Sequence, residues 1–274
     1  MLLAALNLPF DDELSDTRIF VARVEAEIAT QEFDILVLPG QPFRTTPEAG
    51  VSRPQMECST RTLIEWLREL SARKHALVVC GTFELAKKPF PYRTVLAACE
   101  GRLIARHVQW PMIKAPRLLT PVSKYISLLD TPYFAQPAAL LFEDDLSIPI
   151  PLMGVAESCM TLVSCLPSDG KLLDRARTVA AEFGVFVVLS TYPDAPGSEG
   201  DRGYSVILSP SGQQIGAPAH LSQLLLAQVP EIPAWTQTWG RASHIDKVRK
   251  ETQSNDWAQI GRDPLNARSG FYVP

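Results

Sequence analysis

An α/β sandwich in a single domain is the fold class this sequence predicts, and three observations predict it. Short apolar runs of β-prone residues alternate with helical patterns through the first half. A turn rich in Pro and Gly joins two apolar runs near the end of the second half, and no linker composition interrupts residues 1–230. Interleaved strands and helices of this kind bury a sheet under helices.

The elements follow in order. Residues 2–8, 35–38, 76–80 and 94–99 are short runs suited to buried strands. A helix over about Asp16 to Gln31 places Ile19, Phe20, Val24 and Ile28 on one stripe, with Arg23, Glu25 and Glu27 elsewhere. A second, from about Pro54 to Lys74, sets Leu63, Ile64, Leu67 and Leu70 against Glu65, Arg68 and Glu69. The second half repeats the theme with strands at 140–142, 146–153, 160–166 and 185–190 and a helix from about Lys171 to Glu182. Pro149 and Pro151 each remove a ladder donor, so the run 146–153 is expected to be an edge or distorted strand. Two strands around Pro210-Ser211-Gly212 form a hairpin, and the segments 191–203 and 115–136 are expected to be loops. The polar stretch 231–274, with Trp235, Trp239 and Trp257 scattered through it, is expected to be a tail that contacts an oligomer mate or another partner.

The bulk numbers exclude several function classes. With 274 residues, 46% hydrophobic content, and 26 basic against 30 acidic residues, the chain can bury a large core and carries no excess of positive charge. Neither nucleic acid nor a membrane is an expected partner. The apolar start is cut short by Asn7 and Pro9 and has no basic residue before it, so a cytoplasmic location is expected. Five cysteines at irregular spacing, without a CxxC pair and with only four histidines, argue against a disulfide framework or a metal site. No P-loop or GxGxxG stretch is present, and no cofactor is expected.

Several blocks occur in an order that resembles a known family. "FDILVLPGQPF" is a buried strand ending in proline; "YRTVLAACEGRLIARHVQWPMI" is a strand, a glycine turn and a basic stretch. "DRARTVAAEFGVFVVLS" and "RGYSVILSPSGQQIGAPAHLSQLLLAQVP" supply a helix, a strand and a closing hairpin, and even "LNARSGFYVP" is similar to an arginine-containing tail. Together they resemble the nitrilase superfamily of carbon–nitrogen hydrolases over residues 1–230. That resemblance implies an αββα sandwich that pairs into a four-layer unit, in a homodimer or larger assembly. It also implies a catalytic trio: a glutamate base, a lysine for the oxyanion and a cysteine nucleophile.

Carried over residue by residue, the trio is absent. The position after Pro39 is Gly40, the lysine position after Arg106 is Gln109, and aligning the cysteine strand with "IPIPLMGV" puts Met153 at the nucleophile. The helix that would follow Met153 is expected to be truncated. An auxiliary acid falls on Asp130. Glycine accepts no proton, a carboxamide carries no charge, and a thioether is no usable nucleophile.

Remaining candidates carry two readings each. Cys159 and Cys165 are displaced nucleophiles or, as preferred, small core residues. Lys114 is a substitute cation or a solvated lysine; Gln41 binds an amide or satisfies the loop; Asp130 is the best retained polar pocket residue. His107 is expected to be packed or at the surface, His220 and His244 at the surface, and Arg177 in a structural salt bridge. The preferred function is a pseudoenzyme: a structural or regulatory subunit, as a homodimer or in a hetero-oligomer with another protein such as an active paralogue. The alternatives are a diverged carbon–nitrogen hydrolase (amidase) or acyl transferase using Cys159 or Cys165, and a neutral pocket of Gln41, Gln109 and Asp130 for a small amide ligand.

Overall fold

Period-two alternation sorts the side chains of every central strand between two apolar layers. The computed structural model describes residues 1–42, 53–85, 91–109, 128–131, 134–166, 172–193, 204–216 and 223–230. Strands β1 (Leu2–Leu6), β2 (Ile35–Val37), β3 (Leu77–Leu85), β4 (Pro91–Cys99) and β5 (Arg102–Val108) lie in one sheet with β11 (Leu224–Gln228). Strands β6 (Leu128–Thr131), β7 (Phe134–Phe142), β8 (Met160–Ser164), β9 (Phe186–Ser190) and β10 (Val206–Leu208) form the other. The strand orders are β11-β1-β2-β3-β4-β5 and β10-β9-β8-β7-β6. In each sheet a parallel core, β1-β2-β3 or β7-β8-β9, is flanked by antiparallel neighbours.

Leu3, Ala5, Ile35, Val37, Leu77 and Val79 of the first sheet meet Ala138, Leu140, Phe142, Leu162 and Val188 of the second in one buried layer. The alternate residues Ala4, Leu6, Leu36, Leu38 and Val78 face helices α1 (Thr17–Ile28) and α2 (Arg53–Lys74). On the far side Ala139, Leu141, Val163, Val187 and Leu189 face α3 (Pro149–Glu157) and α4 (Leu172–Phe183). The result is an αββα sandwich, as the resemblance implies. A one-residue slip in any of these strands would exchange its two layers, so the pattern specifies the register strongly.

Of the expected stripe of α1, Phe20, Val24 and Ile28 are buried and Ile19 is half-buried, with Phe20 meeting Trp66 of α2 edge-on. Asp16 caps its start by accepting the Arg18 amide at 2.8 Å. Glu25 of α1 accepts from Trp66 Nε1 at 2.7 Å and pairs with Arg73 of α2, tying the two helices together on the outer face.

Three expectations are corrected. The run 146–153 is not a strand: a 3-10 turn, Glu143–Ser147, leads into α3, with Pro149 at its N1 position. Both prolines sit in the first helical turn, where the missing N–H groups have no intrahelical partner to lose and the fixed φ suits the helix. The segment 115–136 contains β6 and the start of β7. The hairpin turn forms, with Ile215 N donating to the Ile207 carbonyl at 2.8 Å, but the long second run, β11, crosses to the other sheet and pairs antiparallel with β1. The tail 231–274 with its three tryptophans, Lys114, His220 and His244 lie outside the described residues.

Buried hydroxyls clasp the two sheets at their strand ends. Ser190 and Ser205 donate to the Leu6 carbonyl at 2.5 and 2.8 Å. Ser164, at the end of β8, donates to the Leu38 carbonyl and accepts the Gly81 amide, both at 2.7 Å. Substituting Ser164→Ala strands a buried carbonyl and a buried N–H together, and is expected to cost about 1–3 kcal/mol or more in urea unfolding. Ser211→Ala, on an exposed turn, is expected to stay within about 0.5 kcal/mol of the unmodified protein in the same assay.

Candidate functional site

The ends of β2, β7 and β8 converge on the middle of β3, at Gly81, where the two sheets face each other. After β2 the chain runs through Pro39 and Gly40, and the Gly40 amide donates to the Cys165 carbonyl across the sandwich at 2.8 Å. Gln41 N donates to the Gly81 carbonyl at 2.8 Å, and Tyr192 Oη donates to the Gly40 carbonyl at 2.8 Å. The backbone at this point is thus pinned on three sides.

The space beside Gly40 is occupied. A Cβ there would stand 3.2 Å from Leu166 Cδ2 and 3.4 Å from the Cys165 carbonyl oxygen, tighter than an ordinary van der Waals contact. At Gly81, on β3, a Cβ would stand 2.9 Å from Ser164 Oγ, 3.0 Å from Gly40 Cα and 3.1 Å from Phe142 Cζ. Leu166 and Phe142 are both buried. An apolar plug therefore fills the region into which a longer side chain at residue 40 would reach.

Gln41 is buried and donates from Nε2 to Thr17 Oγ1 at 2.8 Å, at the start of α1. Its carboxamide nitrogen is directed to the protein's own Thr17 hydroxyl. Gln109 follows β5; its amide donates to the Arg93 carbonyl at 2.9 Å and its Nε2 to Asp144 Oδ2 at 2.8 Å. Asp130 lies on β6, its side chain outside the described set. Met153 lies within α3, not on a strand, and its side chain is likewise outside that set. Both β7, through Phe142, and β8, through Ser164, end against Gly81, and the nine-residue α3 lies between them.

Directly after β7 comes a polar junction that reading the blocks by resemblance passed over. Glu143, buried, accepts the Leu166 amide at Oε2 (3.2 Å) and faces Arg93 Nη1 at 3.5 Å. Asp144 faces the same Arg93 nitrogen at 3.4 Å. Asp145 accepts the Phe142 amide at 2.9 Å and pairs with His107 Nε2 at 2.7 Å, both side chains buried. His107 is therefore a packed histidine. In the sequence "EDD" (143–145) is visible as an acidic trio closing an apolar run; its meeting with Arg93, His107 and Gln109 is decided by the fold. Burial pushes the Glu143 carboxyl up to about 8, the adjacent Asp144 charge adds to the rise, and Arg93 only partly opposes it.

Two buried thiols are held in their protonated form. Cys165 is buried, and desolvation together with the Glu143 and Asp144 charges holds its thiol well above the usual range. Cys80 is pushed by burial up to about 12. Cys159, also buried, lies 3.7 Å from the Pro137 carbonyl, and Cys58 is exposed. Arg177 meets Asp174 at 3.7 Å on an exposed helix face, a pair of little energetic weight. Among the described residues no group of three or more His, Cys, Asp or Glu side chains could hold a metal ion, and no helix is long and apolar enough to cross a membrane.

This architecture is the nitrilase-like fold. The chain is similar to the NitN amidase from Nesterenkonia sp. AN1, with a TM-score of 0.71 at 18% identity over 94% of this chain and 99% of that one. A glutamate-to-leucine variant of the amidase from the same organism, with the acetamide moiety of fluoroacetamide added to its active-site cysteine, gives 0.69 at 19% identity over 94% and 97%. At this identity the likeness establishes the fold. No protein-family model matches the chain, and no match is found among curated proteins.

Residues 40 and 166 compete for one volume, which gives a signed prediction. Gly40→Ala is expected to destabilise by overpacking, by about 1–3 kcal/mol, and Leu166→Ala by cavity formation, by about 2–5 kcal/mol. In the double variant the new methyl group enters space vacated by Leu166. Its loss in a denaturation cycle is expected to be smaller than the sum of the two.

Proposed function

We propose that this chain is a nitrilase-fold pseudoenzyme, serving as a structural or regulatory subunit in a homodimer or in a complex with another protein such as an active paralogue. The observation that carries this reading is the filled space at Gly40: where the resemblance implies a general base, Leu166 packs against a glycine. Two further features support it. Gln109, in the lysine position, is a neutral amide bonded to Asp144. The buried thiols beside the strand ends, Cys80 and Cys165, are both held above their usual range by burial, and the charges beside Cys165 are negative. A thiol in such surroundings stays protonated at neutral pH and is a poor nucleophile.

Acrylamide and fluoroacetamide are the appropriate probes, since both add to the active-site cysteine of the Nesterenkonia amidase variants. Incubation of the full chain with either near pH 7 is expected to modify exposed Cys58 and to leave Cys80, Cys159 and Cys165 unmodified by mass spectrometry, with no ammonia released from short aliphatic amides. A selective adduct on Cys159 or Cys165, or catalytic ammonia release, would replace this reading with a diverged amidase or acyl transferase. Light scattering is expected to give a mass above that of one chain, alone or after mixing with a captured partner; a strictly monomeric and partnerless protein contradicts the subunit role.

A further inference from the structure

Gly40 and Gln109, the positions of the implied base and cation, both close on the end of β7. At Gly81 a single point, where a Cβ would stand, lies 3.0 Å from Gly40 Cα and 3.1 Å from Phe142 Cζ. Phe142 is the last residue of β7, and its ring tip and Gly40 therefore share the bare backbone of Gly81 as a neighbour. On the other flank Asp145 Oδ2 accepts the Phe142 amide at 2.9 Å and meets His107 Nε2 at 2.7 Å. His107 precedes Gln109 by two residues, and Gln109 Nε2 donates at 2.8 Å to Asp144, two residues past Phe142. The ends of β2, β5 and β7 are thus brought to one place.

Two other residues compete for that place, and each is otherwise engaged. Ser164, at the end of β8, also abuts Gly81, but its hydroxyl donates to the Leu38 carbonyl and accepts the Gly81 amide. A hydroxyl spent on two backbone partners has no base to release its proton. Met153, which the alignment of the cysteine strand puts at the nucleophile, stands on α3 beyond the turn Glu143–Ser147. Phe142 is fully buried in the layer between the sheets and is held toward both landmarks.

We infer that Phe142, and not Met153, stands where a nucleophile of this fold would have to stand, and that its ring closes the site together with Leu166. The inference rests on the pseudoenzyme reading of Gly40 and Gln109. A nucleophile needs a base within hydrogen-bond reach and a cation beside the developing oxyanion, and among the described residues of the second sheet the end of β7 is tied to both of those positions. The three places then hold a hydrogen atom, a carboxamide and a phenyl ring, none of which ionises or attacks. Asp145 and His107 are positioning residues: they fix the end of β7 against β5.

Cysteine substitution on a rebuilt background tests the assignment. In the full chain carrying Gly40→Glu and Gln109→Lys, a thiol is introduced by Phe142→Cys, Ser164→Cys or Met153→Cys, and each variant is treated with fluoroacetamide near pH 7. Alkylation joins the sulfur to the methylene carbon, releases fluoride and passes the thiol proton to a base, so its rate reports a thiol beside a carboxylate. By site-resolved mass spectrometry, position 142 is expected to be modified about tenfold or more faster than position 153 or 164 in the matching variants. Equal rates, or faster labelling at 153 or 164, overturn the assignment. Should the rebuilt chains fail to fold, proton NMR of the unmodified protein decides: NOE contacts from the Phe142 ring to the Gly81 α protons support it, and their absence overturns it. Labelling of the unmodified chain at its own cysteines bears on the pseudoenzyme reading alone, so the two fail separately.

Discussion

The close approach of the two sheets at Gly40, Gly81 and Ser164 is the constraint on which the rest of the site depends. Ser164 reaches from one sheet to satisfy a carbonyl and an amide of the other. That reach requires backbone without a Cβ on the facing strand, and Gly81, in the middle of β3, provides it. Once the tips are this close, the remaining volume is small enough for one leucine and one phenylalanine to fill. A buried leucine contributes about 1.5–3 kcal/mol relative to an exposed one, so the closed arrangement is favoured by ordinary packing as long as no polar group must enter.

The same tips in an amidase of this fold serve chemistry, which needs the opposite conditions. A base and a thiol must stand within hydrogen-bond reach of each other, with a cation beside the developing oxyanion, and all three must be open to substrate. Here the polar groups are instead drawn to the flank, where Glu143, Asp144 and Asp145 meet Arg93, Gln109 and His107. These contacts bind one sheet to the other. Of the three acids, Glu143 is the one whose carboxyl accepts the amide of Leu166.

Reading the chain by pattern succeeded wherever one apolar face decides the outcome. The stripes Phe20, Val24, Ile28 and Leu63, Leu67, Leu70 are buried as expected, because a 3.6-residue period admits one way to cover a sheet. It failed at 146–153, where Pro149 and Pro151 are equally compatible with a poor strand and with the first turn of a helix. The missing discriminator was the 3-10 turn before them, which lets β7 end at Phe142 and moves the strand tip away from Met153. The partner of β11 was also invisible, since pairing with β1 joins residues more than two hundred positions apart.

The sequence by itself determined the sandwich, its helical faces, and the absence of an acid at residue 40, because side-chain period and residue identity are local properties. Only the tertiary structure decided that Leu166 fills the space beside Gly40, that Gln41 turns to Thr17, and that Glu143 is buried against Arg93. Those facts depend on how far apart two sheets stand at their tips, a distance set by the sum of many contacts and written in no single stretch of the chain.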